Sequence, residues 1–487
     1  MATTVQPPAP PKTSGAGKAF TWIAGILCFG LLGYLLLQIV HQVVVPPPPQ
    51  RLILIQDVPL PSGLPTPAQE QSLIPDAAQV GTTLNPGVAI DFDAFDFQAL
   101  DVPTHLLFVA HSGPSPDFLA ADKNVDFNAT RDAPFDGNVI VFDTQQQKVV
   151  ARINIPQVAG VVDAPDLGKV FVGSDAATNN DQSIVYAIDV HTLKATPIPL
   201  ANLESPDALS YDAMNKRIYA SDPGAPADPA KTMNVDRNNE NIAVIDAVND
   251  KLLKYINLGN LPLLPGEKVP AALLSPTNSA IPRYGHDVGH NVFDEGLQRL
   301  FVTSTVLPNG DDPNPFVLPP TGTGEFFEID PANSANPIVK EIDLPATCST
   351  PHGMNIDEAQ QVAFIACTDV DSASNLFPNL VLVNLNTMTV IPTLPNATRL
   401  EDGPDIVRLD QNSTLKIDIL FVACKAGITI FDITPGHFQK LGDVILGKET
   451  HTIAIDEASQ YVYLPLTIGG RPVLRVARYN PNGQSSF

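Results

Sequence analysis

The chain is poor in tryptophan, cysteine and positive charge, and each shortage excludes something. Trp22 is the only tryptophan in 487 residues, and it lies in an apolar stretch near the N-terminus. Four cysteines are present, Cys28, Cys348, Cys367 and Cys424, and no two stand as C-x-x-C. A zinc ribbon or a dithiol redox motif is therefore excluded. Lys and Arg number 28 against 52 Asp and Glu, for a net charge of −24. Lys12 and Lys18 are the only charged residues before position 51, which leaves 26 against 52 in the remainder. Such a surplus of negative charge repels nucleic acid and anionic lipid surfaces, and it favours solubility. Sequences for common chemistries are missing too. There is no H-E-x-x-H, no G-x-S-x-G and no Walker loop. Gly322-Thr323-Gly324 lacks both the third glycine and the strand–helix context of a dinucleotide site.

What is present is a repeat. After residue 90 a two-part phrase recurs seven times. Its first half is an apolar run ending in Asp, a turn, and a second apolar run. Ile356-Asp357 leading to Phe364-Ile365-Ala366 is one example, and Ile455-Asp456 leading to Tyr461-Val462-Tyr463 is another. The second half is a β-rich run that also ends in Asp or Asn, followed by a further strand-like run, as in Val139 to Asp143 and then Val149 to Ile155. One such unit cannot bury its own apolar faces, so a repeat of this length implies stacked units. The first-half positions are Asp101, Asp163, Asp212, Asp294, Asp357, Asp410 and Asp456. The second-half positions are Asp143, Asp189, Asp246, Asp330, Asn384, Asp432 and Asn480. Seven pairs of four strands predict an all-β, seven-bladed β-propeller. Asp and Asn suit the turns because their side chains bond nearby backbone and tolerate left-handed geometry.

The seventh unit supplies only three strands, ending near Asn480. Arg51-Leu52-Ile53-Leu54-Ile55-Gln56 resembles the fourth strands elsewhere, such as Lys254 to Leu258. A strand over 51–57 is thus expected to complete the last blade and remove an open sheet edge. The propeller is assigned to residues 51–487. The long insertions, 112–136, 174–182, 222–240, 305–323 and 368–378, all fall between second and third strands, on the face where the innermost strands begin. Loops on a rigid scaffold are where binding usually resides.

Before the propeller, Phe20 to Val45 is 26 residues without a formal charge, longer than the ~20 that a bilayer core requires. With Lys12 and Lys18 ahead of it, the positive-inside rule keeps residues 1–19 in the cytoplasm. One transmembrane helix over 20–45 is expected, acting as an uncleaved signal anchor in the lipid bilayer of the cell membrane. A cleaved signal is the alternative. Residues 46–50, with Pro46 to Pro49, form a stiff spacer. The propeller then stands outside the cytoplasm.

Candidate chemistry sits at the start of the innermost strands. Five residues before the first-half Asp stand Asp207, His352, Asp405 and His451. The fourth unit has His286-Asp287-Val288-Gly289-His290, with His290 one place out of register. A ring of His and Asp at one height of a channel can ligate a divalent metal or exchange protons; it can equally hydrogen-bond backbone at the blade crossovers. Asp122, Asp126 and Asn128 lie in an acidic loop able to meet calcium, though without the EF-hand order of ligands. Cys348 and Cys367 flank neighbouring strands, where either a disulfide or two buried thiols fits.

The repeats resemble the YVTN/YncE-type β-propeller family, a relative of surface-layer and lactonase-like propellers. The resemblance spans about residues 87–480 and rests on Asn138 to Asp143, on Asn241 to Asp246 with Asn249-Asp250-Lys251, and on Thr350-Pro351-His352-Gly353-Met354-Asn355-Ile356-Asp357. Trp22 lying outside the repeats removes the Trp-Asp signature and the tryptophan-docked blades of quinoprotein dehydrogenases. The first and second blades lack the Pro-His or Pro-Asp phrase, so the ring is expected to be incomplete. The resemblance implies an extracytoplasmic protein that binds a small molecule, a metal or a protein partner, and it carries no universal catalytic residue. Two further functions remain open. One is an enzyme of lactonase or lyase type using His286, His290, His352 and His451. The other is a structural protein of the cell envelope.

Overall fold

A computed structural model of the chain describes residues 51–60, 94–113, 137–155, 158–174, 183–200, 206–221, 241–258, 285–307, 324–368, 377–394, 397–411, 418–447, 450–468, 471–481 and 483. The segment 20–45, the spacer 46–50 and the acidic loop with Asp122, Asp126 and Asn128 lie outside those residues. Among the described residues no helix is long and apolar enough to cross a membrane. Residues Leu52–Tyr479 form one compact unit.

The strands are numbered β1 to β28 along the chain, and they form seven antiparallel sheets of four. The innermost strands are β2 (Ala94–Asp101), β6 (Val158–Ala164), β10 (Ala208–Asp212), β14 (Gly285–Asp294), β18 (Pro351–Asp357), β22 (Pro404–Asp410) and β26 (Ala454–Asp456). Each touches the next, and β26 touches β2, so the sheets close into a ring of seven blades around a central channel. The first six blades are consecutive in sequence. The seventh combines β26, β27 (Tyr461–Ile468) and β28 (Arg471–Tyr479) with β1 (Leu52–Pro59) at its outer edge.

The register of that last pair runs from Leu52 opposite Tyr479 to Pro59 opposite Val473, and it skips one residue between Leu54 and Gln56. Asp57 accepts from Arg475 through both carboxylate oxygens, at 2.8 Å each. The first and last strands of the unit are therefore zipped together, so that β28 is not left as the open outer edge of the seventh blade.

The middle strands read as near-continuous apolar runs because a neighbouring blade covers each face. In Asn138–Asp143 and Gly427–Asp432 every residue but the terminal Asp is buried. Outer strands are more open, as in Gln439–Ile445, where no residue is fully buried. The core is thus a set of layers between blades, one of them joining Phe171, Leu209, Ile218 and Ile245.

The repeated Asp residues cap turns. Backbone N–H groups two or three residues on donate to Asp143, Asp189, Asp246, Asp294 and Asp357, among others. Among the described residues, the residue four places after the Asp or Asn adopts positive φ at ten turns, a non-glycine residue at nine of them, including His105, Gln147, Lys216, Gln361 and Gln460, and Gly436 at the tenth. The second blade departs from the pattern expected for it. Its turn position is Ala164, paired with Lys169, and Asp163 lies one residue inside the strand opposite Val170. A short 3-10 turn over Pro165–Leu167 replaces the Asp cap there.

Candidate functional site in the central channel

The innermost strands share a local irregularity that positions the site. Pairing with the second strand skips two residues in five blades: Asp96-Phe97, Ala159-Gly160, Gly289-His290, His352-Gly353 and Asp405-Ile406. These are bulges, and a bulge re-aims a side chain that a flat ladder would commit to the blade faces. Two glycines let adjacent strands approach at this level. A Cβ on Gly353 would stand 1.3 Å from the Asp405 carbonyl oxygen, and one on Gly160 would stand 2.2 Å from that of Asp207.

Three of these bulges, together with the segment before β26 that carries His451, bring four of the expected residues together. His352 Nε2 lies 3.2 Å from Asp405 Oδ1, and His290 Nε2 lies 3.4 Å from the same oxygen. His451 Nε2 lies 3.1 Å from the other oxygen, Oδ2. The ligand atoms of His290, His352 and Asp405 all fall within 4.8 Å of one another. The rings of His290 and His352 are tilted at 5.0 Å between centroids, and Phe97 backs His290 at 4.9 Å. His290 and Asp405 are almost wholly buried, whereas the His352 and His451 side chains are 41% and 42% exposed, so one side of the cluster is open. His290 Nε2 and Asp405 Oδ1 are both buried, and their 3.4 Å approach to each other falls short of a well-formed hydrogen bond. Burial alone would raise the Asp405 carboxyl, but the imidazoles of His451, His352 and His290 outweigh it and hold the group well below the usual carboxylate range.

Asp207 belongs to the other half of the ring, beside a residue that reading the phrases missed. Asp96 stands five places before Asp101, in the same register as the rest, so the first blade does contribute. Burial, repulsion by Asp207 and Asp405, and a hydrogen bond with Asp207 push the Asp96 carboxyl well above its ordinary value. Asp96 and Asp207 are therefore neighbouring carboxyl groups in the ring, and it is the Asp96 group whose charged form this surrounding disfavours. Counting back from the turn Asp would have found Asp96; looking for a preceding proline did not. His286 and Asp287 fall on β14, and their side chains lie outside the described part of the structure.

Below the ring, the second halves of the innermost strands enclose a cavity of about 830 Å³ that opens toward the face with the hairpins. Its wall includes Arg408, a residue no phrase pointed to. Near the ring, Cys348 and Cys367 are joined in a disulfide, with Cα atoms 5.0 Å apart. Cys424 remains a buried thiol, pushed up to about 12 chiefly by burial.

No protein-family model matches the chain, and no curated protein matches it. Solved structures do. A chain of the hydrazine synthase of Kuenenia stuttgartiensis is similar over 81% of this chain and 98% of its own, at 12% identity and a TM-score of 0.52. The WD40 repeats of RRP9 are similar over 84% of this chain and 99% of their own, at 7% identity and a TM-score of 0.47. At such identities the likeness concerns the fold alone.

Proposed function

We propose that the protein is a binding propeller of the YVTN/YncE type, tethered to a membrane by residues 20–45 and displayed outside the cytoplasm, and that it holds a divalent transition metal in its central channel. The observation that carries the metal is the convergence of His290, His352 and Asp405, from three different blades, with ligand atoms within 4.8 Å. Two atoms bonded at ~2.1 Å to one tetrahedral ion stand about 3.4 Å apart, close to the two imidazole–carboxylate separations here. A buried imidazole nitrogen and a buried carboxylate oxygen that meet only at 3.4 Å, short of a well-formed hydrogen bond, would both gain from an ion bound between them. Two or three imidazoles with one carboxylate suit zinc and its neighbours in the first transition row, whereas magnesium and calcium prefer oxygen ligands. His451, on the second carboxylate oxygen, orients Asp405 or completes the ligand set. The half-exposed side leaves a position for an incoming ligand. The tether is supported by the uncharged 26-residue stretch, and the compartment by the Cys348–Cys367 disulfide, since such bonds persist in oxidising environments.

Calorimetric titration of the metal-stripped, full-length protein with Zn²⁺ tests this reading. One site per chain is expected, weakened at least tenfold by His352→Ala and by Asp405→Asn. His437→Ala, at an exposed imidazole on Asp432, leaves it unchanged. Equal isotherms for all four proteins would remove the metal from the account.

One observation favours a second reading, an enzyme of lyase or lactonase type at the same centre. The Asp96 carboxyl stands in the same ring register as the cluster and is pushed up by burial and by Asp207 and Asp405, which suits a general acid. That reading predicts turnover that Asp96→Asn abolishes while zinc binding persists.

A further inference from the structure

The cavity beneath the ring carries a positive charge that meets no counter-charge in contact among the described residues. Arg408 lies on β22, three residues after Asp405, and its half-buried guanidinium forms part of the cavity wall. Its hydrogen bonds go only to backbone carbonyls, those of Val407 and Gln98, each at 3.3 Å. Among the described residues no carboxylate pairs with it, and Asp405 acts on it only from a distance. Withdrawing a guanidinium from water is costly without an anion, and the planar fork of Arg matches a carboxylate through two parallel hydrogen bonds.

The rest of the cavity narrows the anion. Phe97, Val161, Leu209 and Met354 give its walls an apolar body. Asp456 and Glu457 also line it. Together with the net charge of −24 they oppose phosphates and other polyanions. A volume of about 830 Å³ falls within the range of small-molecule sites. We infer that the channel binds a small monocarboxylic acid with an apolar body, its carboxylate seated on Arg408. This subsite stands on Arg408 and the cavity walls and does not require the metal.

Saturation-transfer NMR and calorimetry on the full-length protein, with hexanoate and benzoate as probes, test it. Hexanamide, which has the same body without the charge, and inorganic phosphate serve as comparisons. Both acids are expected to bind one per chain, with hexanamide and phosphate at least tenfold weaker. Arg408→Gln is expected to weaken the acids at least tenfold and Arg408→Lys by less. Acid and amide binding equally well in the unaltered protein would overturn the inference without recourse to any variant. So would phosphate binding as tightly as hexanoate, or an Arg408→Gln protein that keeps its affinity. Repeating the titration after chelation and on His352→Ala separates this inference from the metal. Acid binding that survives both supports the Arg408 subsite even if no metal is ever found. Acid binding that disappears with the metal places the carboxylate on the ion and overturns the subsite.

Discussion

At the scale of single residues, the channel sets groups of one chemical type against each other. The Asp405 carboxyl is held low by three imidazoles, while the Asp96 carboxyl, in the same ring register, is pushed up by burial and by Asp207 and Asp405. Asp163, farther down the channel, is pushed up to about 8, first by burial and then by Asp101. Its Oδ1 has no hydrogen-bond partner. For a carboxyl raised in this way, the unfolded chain ionises near pH 4 while the folded chain keeps its proton to about pH 8. Stability therefore falls with rising pH across that window and is level below it. Asp163→Asn is expected to leave the guanidinium midpoint unchanged at pH 4 and to stabilise the protein on the order of 1 kcal/mol or more at pH 8. An equal shift at both values would mean that the carboxyl does not titrate this way. His111 works in the opposite direction. Buried against Phe95, it is pushed down to about 3 by burial and by Arg152, so it lowers stability as pH falls below the ordinary imidazole range. The ring itself was legible at Asp207, His352, Asp405 and His451, because each stands a fixed distance before its turn Asp. Asp96 obeyed the same spacing without the proline. Arg408 could not be read from the repeat, because the cavity that gives it meaning exists only once the blades close.

At the scale of elements, the turns and middle strands were legible because backbone chemistry dictates them. An Asp that caps its own turn and a run of apolar residues covered on both faces leave local marks in sequence. The two-residue bulges left no such mark. They fix the register of β2, β6, β14, β18 and β22, and they explain why His290 stands one place later than its counterparts: Gly289-His290 occupies the bulge that His352-Gly353 occupies in the next blade, in reversed order. The second blade shows how the phrase misleads, since Asp163 looks like a turn residue and Ala164 holds that place. The closing strand makes the sharpest claim at this scale. Val58 on β1 pairs with Leu474 and packs against a layer that includes Val476 and Tyr463. Val58→Asp buries a charge there and is expected to cost roughly 2–3 kcal/mol and to promote association through the freed edge of β28. Val339→Asp, on the outer strand of the fourth blade but 50% exposed, is expected to be nearly neutral. Denaturant unfolding and size-exclusion chromatography read both, and similar behaviour of the two variants would contradict the closure.

At the scale of the whole molecule, the ring of blades creates what no blade has alone. Every blade but the second contributes one polar side chain near one height, so a site assembled from blades four, five and six depends on the blades holding their angles. The zipped seventh blade is what fixes those angles, and it ties the stability of the outer edge to the geometry of the channel. The surplus of acidic residues keeps such a protein soluble and makes cations, not anions, the natural visitors to its surface. The His/Asp cluster is where that preference becomes a coordination site, and Arg408 is the local exception. The most direct measurement is an anomalous-difference map from crystals of the full-length protein grown with Co²⁺ and recorded at the cobalt edge. The account predicts one strong peak per chain, about 2.0–2.2 Å from Nε2 of His290, Nε2 of His352 and a carboxylate oxygen of Asp405. A map with no peak among those three side chains, or with its cobalt bound elsewhere, would contradict it.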